Sequence, residues 1–185
     1  GYNHISVQTI QAMPSGLRMI AGDMTSSTAQ THANWGCLET YIGHPGSIPS
    51  ASTCGGTGNH VQMTVVFPQC WNGRTLDAAD HKSHMAYPRD INGKTVCPSS
   101  HPIAIPEISL NIRYKIPSTG TTGWRLSSDM YSTSKAGGFS AHGDWFDGWN
   151  PTIRTMWVKN CDNAAKDCHA HLLGKGSDGK FKEIY

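Results

Sequence analysis

Two segments carry a period of two clearly enough to be strands on pattern alone. In residues 107–116, Ile108, Leu110, Ile112, Tyr114 and Ile116 alternate with polar residues, which predicts a half-buried strand with those side chains on its core face. Residues 60–67 alternate in the same way and predict a second strand. Shorter runs predict strands at 4–12 and 17–21 around a Met13-Pro14-Ser15-Gly16 turn, and at 124–127. Residues 24–36 have weak periodicity, with Trp35 the one large anchor, and predict a loop or a short helix. Residues 38–60 are punctuated by glycine and proline and predict an irregular loop. Helical spacing of Ile153, Met156 and Trp157 after Asn150-Pro151 predicts a short amphipathic helix over 150–160, and the tail ends in a candidate edge strand at 181–185.

Short strands, many turns and one or two short helices predict an all-β fold. The expected form is an antiparallel β-sandwich, jelly-roll-like, with long disulfide-stapled loops and a single domain over 1–185. Two stretches break the pattern. Residues 67–106 combine His81, His84 and His101 with Asp77, Asp80, Asp90, Cys70 and Cys97, with almost no apolar period, and predict a long functional loop system. Residues 139–149 form an aromatic run punctuated by glycine around His142-Gly143-Asp144.

Composition narrows the classes. A 185-residue chain with 15% charged residues and a net charge of +2 offers no basic surface for nucleic acid or anionic membrane. No apolar run is long enough for a membrane helix, and Gly1-Tyr2-Asn3 is no signal peptide, which predicts a mature, processed product. The six cysteines form no CxxC pair, which favours disulfides in an oxidising compartment over a zinc site. Loop-closure entropy favours near neighbours among the pairings open to them: Cys37 with Cys54, Cys70 with Cys97, and Cys161 with Cys168.

The histidines, with Asp77, Asp80, Asp144, Asp147 and Glu107, are the residue types of an acid/base or metal site. Three roles stay open for them. They brace loops; they catalyse, with His84, His142, Asp80 and Asp144 as acids and bases; or they bind a divalent metal through His81, His84 and His142. Apart from that metal no cofactor is expected. His142 and Asp144 flank a glycine that lets a backbone approach closely, and Tyr87, Trp145 and Trp149 are candidate stacking surfaces for sugar rings, with Trp71 beside them. Arg74 and Arg89, with Lys82, suit an acidic group such as a uronate or phosphate. His169 and His171 suit a surface turn. There is no GxSxG elbow, P-loop, HExxH, EF-hand loop or dinucleotide fingerprint.

The runs FPQCWNGRTLDAADHKSHMAYP, CPSSHPIAIPEISLNIRY and SAHGDWFDGW, with LRMIAGD upstream, closely resemble the secreted fungal and actinobacterial family catalogued as domain of unknown function 1996. The resemblance covers about residue 14 to about residue 170. It implies secretion, disulfides and an association with fungal cell-wall or biomass proteins, because some members carry carbohydrate-binding WSC modules. Typical members are longer, with further histidines around a Pro-Gly and Ser-His segment near their N-terminus. This chain is expected to begin after that portion, so a site completed by it would be altered here.

The expected function is a secreted carbohydrate-active enzyme that cleaves polysaccharide glycosidic bonds by His/Asp acid-base chemistry, as hydrolase or lyase, with a polysaccharide or cell-wall glycan as partner and no membrane. The segment Asp80-His81-Lys82-Ser83-His84, His101 and the segment His142-Gly143-Asp144 are expected to meet around one cleft. The alternatives are a metal-dependent hydrolase such as a secreted nuclease, the one case with a nucleic-acid partner, and a non-catalytic wall-binding or cytotoxic protein.

Overall fold

The computed structural model describes residues 8–44 and 46–164. Its elements are β1 (Arg18–Gly22), β2 (Ala33–Cys37), β3 (Gly43–His44), β4 (His60–Val66), β5 (Cys70–Trp71), β6 (Met85–Ala86), β7 (Arg89–Ile91), β8 (Lys94–Val96), β9 (Ile103–Ala104), β10 (Ser109–Lys115), β11 (His142–Phe146) and α1 (Pro151–Trp157), which runs on into a π-helical turn, Val158–Asp162. The chain is all-β, with antiparallel sheets. It divides into two compact units. One comprises Gly1–Met19, Phe67–Ile108 and Trp145–Tyr185, and the other Ile20–Val66 and Ser109–Asp144. β1 and β11 pair in a two-stranded sheet.

The unit containing Ile20–Val66 is built on a four-stranded sheet in the order β10-β4-β2-β3. Period-two burial places Val61, Met63 and Val65 of β4 on the same face as Ala33, Trp35 and Cys37 of β2, and these six side chains are buried. The opposite face is polar, where Gln62, Thr64, Asn111 and Arg113 hydrogen-bond to one another across the strands. β2 was expected as loop or helix; its Ala-x-Trp-x-Cys alternation fills the centre of the sheet. Residues 124–127, an expected strand, form no ladder: Leu126 N–H bonds the Asp129 carboxylate instead, 2.9 Å away. Cys37 bonds Cys54 with Cα atoms 5.0 Å apart, closing the irregular loop as expected.

The inward-facing set expected on β10 is corrected at Ile112, which is 39% exposed. β10 is the outer strand of its sheet, so its apolar face has a covering neighbour strand on one side only, and Leu110 and Tyr114 are likewise only half-buried. Ile116, just past the strand, is 1% exposed. Ile116→Ala should therefore cost about 2–5 kcal/mol in urea denaturation and Ile112→Ala less than about 2 kcal/mol.

The unit containing Phe67–Ile108 holds the three-stranded sheet β6-β5-β9 and the hairpin β7-β8. Hairpin and sheet both lie inside the loop system expected from the sequence, and Cys70 bonds Cys97 across it with Cα atoms 5.5 Å apart. The hairpin turns at Asn92 (φ 54°) and Gly93 (φ 75°), two successive left-handed residues as a tight two-residue loop requires. Ile10, Cys70, Cys97, Ala104 and Val158 pack together as a small core. Residues 8–12 were expected to end a strand beginning at residue 4, which lies outside the described residues. They are not part of a strand: Gln11 N–H bonds the Ala104 carbonyl at 2.8 Å, while the Asn163 side chain accepts from the Ile10 N–H and donates to its carbonyl, both at 2.9 Å. Asn150 caps α1 and Pro151 begins it, as the sequence predicts. Cys161 is buried, and its expected partner Cys168 lies outside the described residues, as do His169, His171 and residues 181–185.

Burial raises the Asp162 carboxyl, in the π-helical turn, to about 6. A carboxyl raised in the folded state resists ionisation there, so folding loses stability as pH climbs from about 4 through about 6. Asp162→Asn should raise the melting temperature at pH ~8 by a few degrees and leave it unchanged at pH ~4; equal shifts at both pH values would contradict this.

Candidate functional site

The segment 77–84 is a succession of tight turns tied by its own polar groups. His81 N–H bonds the Ala78 carbonyl at 2.8 Å, and Met85 N–H bonds that of Lys82 at 2.9 Å. Asp80 Oδ1 accepts from the backbone N–H groups of Lys82 and Ser83 and from the Ser83 hydroxyl, at 2.8–3.0 Å. Led by the Ser83 and Lys82 N–H groups, these bonds hold the Asp80 carboxyl down to about 2. Asp80 is thus a turn cap that stays ionised at neutral pH, and the acid role expected of it is corrected.

At the centre of these turns His81 adopts φ 54°, a left-handed conformation costly for a residue with a Cβ. Its ring meets the carboxylate four residues earlier, with Nδ1 2.5 Å from Asp77 Oδ1. An acceptor-only carboxylate fixes the proton on Nδ1, so the lone pair of a neutral His81 lies on Nε2. The His81 side chain is 49% exposed. Arg18 Nη1 lies 3.8 Å from Asp77 Oδ2, and the same guanidinium sits over the Phe146 ring, 5.5 Å from its centroid. An oriented imidazole therefore shares its carboxylate with an exposed cation.

His84, expected as a catalytic base or metal ligand, is 1% exposed. Its Nε2 donates to the Arg18 carbonyl at 2.6 Å, and its Nδ1 accepts from the Ala78 N–H at 3.3 Å. Both nitrogens are spent on backbone, so the catalytic and ligand roles are corrected to that of a brace. His84→Ala should lower stability by roughly 1–3 kcal/mol through the groups left unpaired, with a further loss for the cavity, as chemical denaturation would measure. His101 braces as well: its Nε2 donates to the Ser83 carbonyl at 3.0 Å, and its Nδ1 meets the Ser100 hydroxyl at 2.9 Å.

The other candidates of this unit are distributed as follows. Arg74 is exposed in the turn after β5 and Arg89 is exposed on β7. Tyr87 is partly buried, and burial pushes its phenol well above the usual range. Glu107 accepts from the Gln69 side chain. Trp149 stacks on Trp157 with centroids 4.9 Å apart, and Trp145 meets Trp149 edge-on at 5.5 Å, so these rings pack largely on each other. Asp147 and Arg154 form an ion pair at 2.7 Å with both side chains buried.

In the unit containing Ile20–Val66, His142 and Asp144 project from the same face of β11, two residues apart. His142 Nδ1 donates to the Ser140 carbonyl at 2.9 Å. The Ser140 hydroxyl in turn donates to Asp129, at 2.6 Å. Burial alone would raise the Asp129 carboxyl, but its bonds from Ser140, Gly138 and Leu126 prevail and hold it below its usual value. Among the described residues no three His, Cys, Asp or Glu side chains are gathered to hold a metal, and the expected set of His81, His84 and His142 fails because His84 has no free nitrogen. No helix among them is long and apolar enough to cross a membrane. With the two disulfides, this is compatible with an extracellular protein.

The pairing of His81 with Asp77 escaped the sequence analysis, although four-residue spacing within a turn-rich segment was its available signal. The partnership of Arg18 left none. A family model described as a domain of unknown function, DUF1996, matches residues 2–149. That span starts earlier than the resemblance in the motifs and stops before the last two cysteines. No curated protein and no solved structure matches the chain.

Proposed function

We propose that this protein, which belongs to the domain of unknown function 1996 family, is a secreted enzyme that cleaves glycosidic bonds of uronate-containing polysaccharides by elimination. The observation that carries this reading is the exposed His81 imidazole, oriented by Asp77 at 2.5 Å, with Arg18 beside the same carboxylate. His81 Nε2 takes the C5 proton of a uronate. The electron pair released forms the C4=C5 double bond as the C4–O bond breaks, and the imidazolium returns the proton to the departing oxygen. Asp77 stabilises the imidazolium, while the Arg18 guanidinium faces the carboxylate charge that grows as the proton leaves. Arg74 and Arg89 are further cations for an anionic chain.

The hydrolytic version of carbohydrate cleavage needs a protonated carboxyl near neutral pH. Asp80, held down to about 2, does not supply one. His142, with Nε2 unspent on Ser140 and Asp144 on the same strand face, is the second base candidate.

The test is incubation with polymers of galacturonate, glucuronate and mannuronate/guluronate, following ultraviolet absorbance of the unsaturated product beside reducing-end release. Both signals should rise together on at least one polymer. Reducing ends without absorbance would overturn the eliminative step, and silence on every polymer would overturn the enzyme.

A further inference from the structure

In the unit containing Ile20–Val66, an open cleft of about 410 Å³ is lined by Trp35, Ile48, Tyr114, Trp124, Arg125 and Leu126. Its volume is that of a small-ligand site, and three of its six lining side chains are aromatic. Tyr114 links the other two rings, 5.9 Å from Trp35 and 6.5 Å edge-on from Trp124.

The surroundings hold this cleft rigidly. Trp35 Nε1 donates to the Gly138 carbonyl at 3.0 Å. Gly138 has φ 103°, and a Cβ there would lie 2.5 Å from that same nitrogen. At Gly137 a Cβ would strike the Trp124 carbonyl oxygen, so this glycine pair lets the loop close behind both tryptophans. Arg125 donates to the carbonyls of Lys135, Asp129 and Tyr131 at 3.0–3.1 Å and sits over the Tyr131 ring. The Asp129 carboxylate gathers the N–H groups of Leu126, Gly138 and Ser140. Arg125 and Asp129 are thus engaged in tying the loop, and the other five lining side chains are uncharged.

We infer that this cleft is a glycan-binding subsite that takes an uncharged pyranose, whose axial C–H face stacks on Trp124 while its edge meets Tyr114. The inference rests on the polysaccharide part of the proposed function and adds that the bound polymer carries neutral sugars beside its uronates. Elimination needs a carboxylate at the cleaved residue, whereas five of the six side chains lining this cleft are uncharged and three are aromatic.

The experiment is isothermal titration calorimetry of the full chain carrying His81→Ala, which prevents turnover by the proposed base. Neutral gluco-, xylo-, manno- and galacto-oligosaccharides are titrated beside oligouronates and an uncharged alkyl glycol. At least one neutral oligosaccharide should bind saturably, and Trp124→Ala should weaken it tenfold or more. Leu126→Lys, at a half-buried lining position, should do the same and serves if Trp124→Ala fails to fold. No binding by any neutral sugar would overturn the inference. So would affinity unchanged in both variants, or a Trp124-dependent preference for the oligouronates or the alkyl glycol. Binding that holds while eliminative activity is never found would sink the proposed reaction and leave the subsite standing.

Discussion

Replacing His81 by alanine is expected to lower eliminative cleavage at least about 100-fold, the minimum typical of a lost general base. Melting temperature should fall by no more than about 4 °C, because an exposed His/carboxylate pair contributes about 1 kcal/mol or less. His81→Asn is the companion variant: asparagine tolerates the left-handed backbone that His81 adopts at φ 54° but cannot take a proton. Asp77→Asn should fall between the parent and these two, since it spares the imidazole and disturbs its tautomer. The measurement is initial rate by absorbance of the unsaturated product, with circular dichroism melts on the same samples. If His81→Asn keeps more than about a tenth of the parent rate, the base lies elsewhere, and His142→Ala becomes the deciding variant.

Arg154→Met is expected to cost about 3–5 kcal/mol, a large share of the ~5–15 kcal/mol that holds a typical domain folded. Arg154 and Asp147 side chains are 6% and 2% exposed, so removing either partner strands a charge away from water. Their reach explains the scale of the effect. Arg154 also bonds the Met13 carbonyl at 2.9 Å and the Ser15 hydroxyl at 2.6 Å, while Asp147 accepts from the Gly16 N–H at 3.1 Å. One pair thereby fastens the 13–16 turn to α1 and to the end of β11. The double variant Arg154→Met/Asp147→Leu should regain part of the loss, because it buries no lone charge. Urea denaturation decides: a cost under about 1 kcal/mol for Arg154→Met would mean that water reaches the pair.

The all-β class, β4, β10 and the helix start were legible because each depends on local signals, namely alternation or a cap. Two disulfides were legible through loop closure. β2 was hidden because five residues containing a glycine carry too little pattern, and its identity comes from the strands on either side. The β7-β8 hairpin announced itself in Asn92-Gly93 and was obscured by the charged residues around it. β11 resembled a loop because His142-Gly143-Asp144 has low strand propensity, overridden by pairing with β1. The histidines divide on similar grounds. His84 bonds a carbonyl 66 residues away, which no spacing reveals, whereas the His81 partner is four residues away and was open to inspection. Ile112 kept its period, but a period assigns a face and does not say how deeply that face is covered.

The Cys70–Cys97 bridge spans 27 residues and encloses both Asp77 with His81 and the exposed tip of the β7-β8 hairpin. Such a tip is where a protease cuts first. Cleavage at Asn92-Gly93 would open the chain without releasing either piece, since the two fragments remain joined through sulfur. Both cysteines are buried, which also slows access by a reductant. A nicked molecule would therefore run as one band until it is unfolded and reduced, and would keep the segments that carry His81 and Asp77 joined.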